Sequence, residues 1–116
     1  MITLHQRAER HLVRVLVRML LRPEDAGITV WSGGTYPDLV RDRSVDQIVD
    51  AVYAVYSCSL HVYRGDARLG VVQLVLGNAP WEVVCDHSAT GHVADICDLW
   101  SAVADEVEHI FSELGV

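Results

Sequence analysis

An α+β fold with the order α-β-α-β-β-β-α is predicted, a small antiparallel sheet with helices packed on one face. Three observations predict it. Two long stretches, residues 4–21 and 92–114, repeat apolar residues at helical spacing, and a third, shorter stretch opens on a capping signal. Between the second and third helical stretches lie three short apolar runs separated by turn residues, the pattern of a meander. At 116 residues and 51% hydrophobic, the chain is long enough for one core and too apolar for disorder, so a single domain over 1–116 is expected.

The first helix, residues 4–21, sets Arg7, Arg10, His11, Arg14 and Arg18 on one narrow face, with Leu12, Val13, Val15, Leu16, Val17, Met19 and Leu20 covering most of the rest. So wide an apolar arc must be buried on two sides or shared with another subunit. A homodimer paired through residues 4–21 is therefore one expectation. Pro23 stops this helix, and Ile28 to Trp31 reads as a strand before the Gly33-Gly34 pair.

Ser44-Val-Asp-Gln47 has the form of a capping box, opening a helix expected to run to about Val55. Ser57 to Tyr63 alternates as a half-buried strand. Arg64-Gly65-Asp66-Ala67 forms a hairpin turn, and Leu69 to Leu76 is nearly continuous in apolar residues. After the Gly77-Asn78-Ala79-Pro80 turn, Trp81 to Cys85 is expected to be the last strand. The final helix, His92 to Leu114, would bury Val93, Ile96, Cys97, Trp100, Val103, Val107, Ile110, Phe111 and Leu114.

Charge is distributed unevenly. All nine cations are Arg, and Arg7, Arg10, Arg14, Arg18 and Arg22 fall before the first strand, while the net charge is −7. From residue 86 onward there are Asp86, Asp95, Asp98, Asp105, Glu106, Glu108 and Glu113 and no Lys or Arg. A helix carrying such carboxylates presents them in fixed positions, as nucleic-acid phosphates are presented, and so suits a basic protein surface. The acidic balance argues against direct nucleic-acid binding, which needs clustered cations. No apolar run is long enough to span a bilayer, the first 22 residues lack a signal-peptide layout, and three scattered cysteines offer no disulfide framework. A cytoplasmic protein is expected.

Catalytic motifs are scarce. Asp86, His87 and Ser88 are adjacent, whereas a triad needs groups converging from separate segments. Gly33-Gly34 lacks the Lys and the immediate helix of a phosphate loop. Cys85-x-His87-x4-His92-x4-Cys97 supplies the thiolates and imidazoles that zinc prefers, at a spacing no common zinc module uses. A zinc-binding small enzyme or metal-stabilised module is thus the alternative function. The leading expectation involves no enzyme activity, metal or cofactor.

The segment Leu74-Val-Leu-Gly77-Asn78-Ala-Pro80-Trp-Glu82-Val-Val-Cys-Asp86-His-Ser88 resembles small phage and prophage proteins: an apolar strand ending in Gly-Asn, a turn, a second strand, then Asp-x-Ser before an acidic helix. The resemblance implies a mobile-element origin and attaches no catalytic residue. At the level of class it implies an inhibitor of host machinery, of the anti-CRISPR kind, acting on a host nucleic-acid-binding complex. The residues expected to meet that partner are Asp95, Asp98, Asp105, Glu106, Glu108 and Glu113, with Trp81 and Tyr36 as exposed loop anchors.

Overall fold

Helix α1 (Leu4–Leu20) begins on a complete capping box, in which the Gln6 amide donates to Thr3 Oγ1 at 3.1 Å and the Thr3 amide donates to Gln6 Oε1 at 2.9 Å. The computed structural model describes residues 2–32, 42–55 and 57–115. Strand β1 (Ala26–Trp31) follows, then α2 (Val45–Tyr53), β2 (Ser57–Arg64), β3 (Ala67–Val75), a 3₁₀ turn (Pro80–Glu82), β4 (Val84–His87) and α3 (His92–Leu114). The predicted element order and α+β class are those observed. The four strands form one antiparallel sheet in the order β1-β2-β3-β4.

One face of the sheet supplies Ile28, Cys58, Leu60, Val62, Val72 and Leu74 to the core, where they meet Leu12, Val13, Leu16, Val17 and Leu20 of α1. Ile48, Val49 and Val52 of α2 and Val93, Ile96, Cys97, Trp100 and Ala104 of α3 complete it. Helix α1 lies between the other two and also packs on the 3₁₀ turn. Its broad apolar arc is thereby covered within one chain, which removes the reason for expecting a homodimer through residues 4–21.

The last strand differs from expectation. Pro80 opens a 3₁₀ turn, and Trp81 within it packs its ring edge-to-face on Phe111, centroids 5.7 Å apart. Pairing with β3 starts only at Val84, and the register slips so that Cys85 is the extra, bulged residue between Val84↔Leu74 and Asp86↔Gln73. Cys85 is exposed as a result, its thiol donating to the Gln73 carbonyl at 3.5 Å.

Ser44 is the N-cap of α2, its hydroxyl accepting from the Gln47 amide at 3.3 Å. The reciprocal half of that capping box is taken by another residue, because the Ser44 amide donates to Asp42 Oδ1 at 2.8 Å. Gly70 in β3 lets α3 sit close to the sheet: a Cβ there would lie 2.8 Å from both Ser88 Oγ and Val93 Cγ2.

Candidate functional site

The arginine stripe of α1 is answered by α2. Arg10 pairs with Asp50 at 2.9 Å and covers the Tyr53 ring at 4.8 Å, and Arg14 pairs with Asp46. The hydrogen bond and charge of Arg14 hold the Asp46 carboxyl below its ordinary value, with Arg18 adding to the effect. These Asp side chains stand 72% and 77% exposed, so the pairs neutralise a surface without adding much stability.

Among the described residues, the carboxylates of α3 have no Arg partner. Asp95, Asp98, Asp105, Glu106, Glu108 and Glu113 are all exposed. Among the described residues, the one ion pair they make is between Glu113 and His109 of the same helix, at 3.1 Å. A helix of 23 residues is about 35 Å long, so the array is extended and rigid.

Residues three, four or seven apart share a helix face, which gives this surface its order. Asp95, Glu106 and Glu113 form one row, and Asp98 and Asp105 a second row beside it. Glu108 lies on the opposite flank. Next to the first row runs a stripe that the sequence reading assigned differently: Leu99, Ile110 and Leu114 are 60%, 45% and 63% exposed. Ile110 and Leu114 were expected in the core, and Leu99 was not singled out. A helical wheel centred on Trp100 carries the missing signal for Leu99 and Ile110, about 100° and about 80° off the core direction. Leu114 instead shares the wheel position of buried Ile96 and is exposed at the end of the helix.

Trp81, expected as an exposed anchor, is half-buried against Phe111, and Tyr36 lies outside the described residues. The exposed large apolar side chains of this face are Leu99, Ile110 and Leu114. The Cys/His alternative fares differently from the acidic face. Cys97 is buried in the core, where desolvation and then Asp98 push its thiol up to about 11, while Cys85 is exposed on the β4 bulge. His87 Nδ1 lies 2.7 Å from the Ser88 carbonyl. Among the described residues no three His, Cys, Asp or Glu side chains gather where they could hold a metal ion, so Cys85, His87, His92 and Cys97 are not brought together.

No protein-family model, no curated protein and no solved structure matches the chain. No described helix is long and apolar enough to cross a membrane.

Proposed function

We propose that the protein is a non-enzymatic interaction protein that lays the outer face of α3 on a basic, nucleic-acid-binding surface of another protein and so blocks it. The observation that carries this reading is the placement of α3's exposed carboxylates beside Leu99, Ile110 and Leu114, with Arg10 and Arg14 of α1 paired to α2 instead. Carboxylate rows suit a surface built to hold phosphates and raise the rate of encounter. Each apolar side chain buried on contact would contribute about 1.5–3 kcal/mol, which fixes the docked register. The mobile-element origin expected from the Gly77-Asn78 and Asp86-x-Ser88 segment makes a host defence complex the favoured target.

The test is affinity capture from a bacterial lysate with a salt-gradient elution, comparing the wild type with Asp98→Arg/Asp105→Arg. The wild type should retain a nucleic-acid-binding complex that moderate salt releases, and the double reversal should lose it. Equal capture by both proteins would rule out the electrostatic reading.

A further inference from the structure

Glu9 is the one acid among the arginines of α1, and it points inward, only 6% exposed. Its Oε1 accepts a hydrogen bond from the Tyr53 hydroxyl at 2.9 Å, and its Oε2 accepts one from the Gly77 amide at 2.9 Å. Both donors are neutral. The neighbouring cation, Arg10, is directed to Asp50 and the Tyr53 ring, so its charge is already answered. A carboxylate withdrawn from water loses several kcal/mol of solvation, which two hydrogen bonds from neutral groups offset only in part.

Beside this carboxylate a pocket of about 490 Å³ opens between the first turns of α1, the end of α2 and residues 76–78. That volume is in the range of small-ligand sites, which combine apolar walls with a few convergent polar groups. Ile2 and Leu76 supply apolar wall, Gln6 and Asn78 line it with amides, and His5 and Arg10 border it as well, Arg10 with its charge turned to Asp50. Helix burial alone does not account for an acid here: an apolar residue at position 9 would extend the Leu12–Leu16–Leu20 stripe. A neutral amide could still serve a donor such as the Gly77 amide without the cost of withdrawing a charge from water. An anionic ligand would meet the Glu9 charge, and a neutral one would leave that charge as poorly answered as before. A cation answers it.

We propose that this pocket takes a primary ammonium group on a short apolar tail, the ammonium held by Glu9 and the tail lying along Ile2 and Leu76. The same chemistry is presented by a free alkylamine and by a lysine side chain of another protein. Nothing in this proposal rests on the outer face of α3, so the two stand or fall separately.

The experiment is isothermal titration of the whole protein with hexylammonium chloride, hexanol and hexanoate, at about 0.15 M salt to screen surface charge. Hexylammonium should saturate a single site, and hexanol and hexanoate should not bind measurably. Glu9→Gln keeps an oxygen acceptor for the Gly77 amide and can turn its NH2 to donate to the Tyr53 hydroxyl oxygen. It removes the charge, and should weaken hexylammonium binding by about tenfold or more. Asp98→Arg/Asp105→Arg should leave it unchanged. A second readout needs no variant: the Gly77 amide resonance of the wild type, which reports the bond to Glu9, should shift along the same saturation curve. N-acetyl-lysine methylamide distinguishes the sources, since tighter binding than hexylammonium indicates a protein side chain and weaker binding a free amine. Absence of saturable hexylammonium binding, equal binding by Glu9→Gln, or an unmoved Gly77 amide would each overturn the proposal.

Discussion

The indole Nε1–H of Trp100 donates to the main-chain carbonyl of Leu12 at 2.8 Å, joining the middle of α3 to the middle of α1 across 88 residues of sequence. Trp100 is 3% exposed and Leu12 fully buried, so the bond lies inside the α1–α3 seam, out of reach of water. It fixes the rotation of α3 about its axis, and thereby which residues of that helix face outward.

Trp100→Phe should keep most of the ring's packing, lose this bond and leave a void beside Leu12. The expected cost is about 2 kcal/mol, seen as a lower urea midpoint with an unchanged slope. A midpoint equal to that of the wild type would mean that the seam does not depend on the bond.

His61 governs part of the pH dependence. Its ring stacks on Trp31 with centroids 4.3 Å apart and planes 23° from parallel, and its Nδ1 is buried with no hydrogen-bond partner among the described residues. Burial, and then the charge of Arg68, lower its pKa from the ordinary histidine value. The folded state therefore binds the proton less readily than the unfolded chain. The associated stability is complete above the ordinary value of about 6.5 and is lost as pH falls toward the lowered one. Urea midpoints should drop between about pH 7.5 and about pH 5.5, and His61→Gln should flatten that slope. An unchanged slope in the variant would assign the effect to other groups.

The cysteines should react unequally. Burial pushes the Cys58 thiol up to about 11, as it does together with Asp98 for Cys97, whereas Cys85 stands exposed on its bulge. Iodoacetamide should thus alkylate Cys85 in the native protein and all three cysteines in urea, as read by peptide mass spectrometry. Native labelling of Cys97 at the rate of Cys85 would contradict its place in the core.

Much of the fold was legible because local signals agreed with one another. The bounds of α3, the Gly65-Asp66 hairpin and the Ser44 cap each follow from spacing or turn chemistry that tertiary packing did not override. The last strand was misplaced because Trp81, Val83 and Val84 carry a β-like composition, while Pro80 and the Trp81–Phe111 contact favour a 3₁₀ turn. That contact spans segments whose meeting no local pattern announces. The Thr3–Gln6 box at the start of α1 is a local signal of the same kind as the Ser44 cap, three residues apart in the sequence.

The acidic character of the last helix could be read directly, since it needs only the positions of Asp and Glu. What answers the Arg stripe could not, because the pairing of Arg10 with Asp50 and of Arg14 with Asp46 depends on α2 lying beside α1. The pocket at Glu9 was hidden for the same reason: Tyr53 and Gly77 reach it from 44 and 68 residues away.

The pairing of the Arg stripe with α2 has an electrical consequence. With Arg10 and Arg14 answered locally and the carboxylates of α3 not, the centre of net negative charge is displaced toward one flank of the molecule. Such a particle carries a sizeable dipole moment and experiences a torque in the field of a cationic body. Within about 8–10 Å of it at physiological salt, the protein would turn its last helix forward before touching, so that orientation precedes contact and rising ionic strength slows association more than it speeds release.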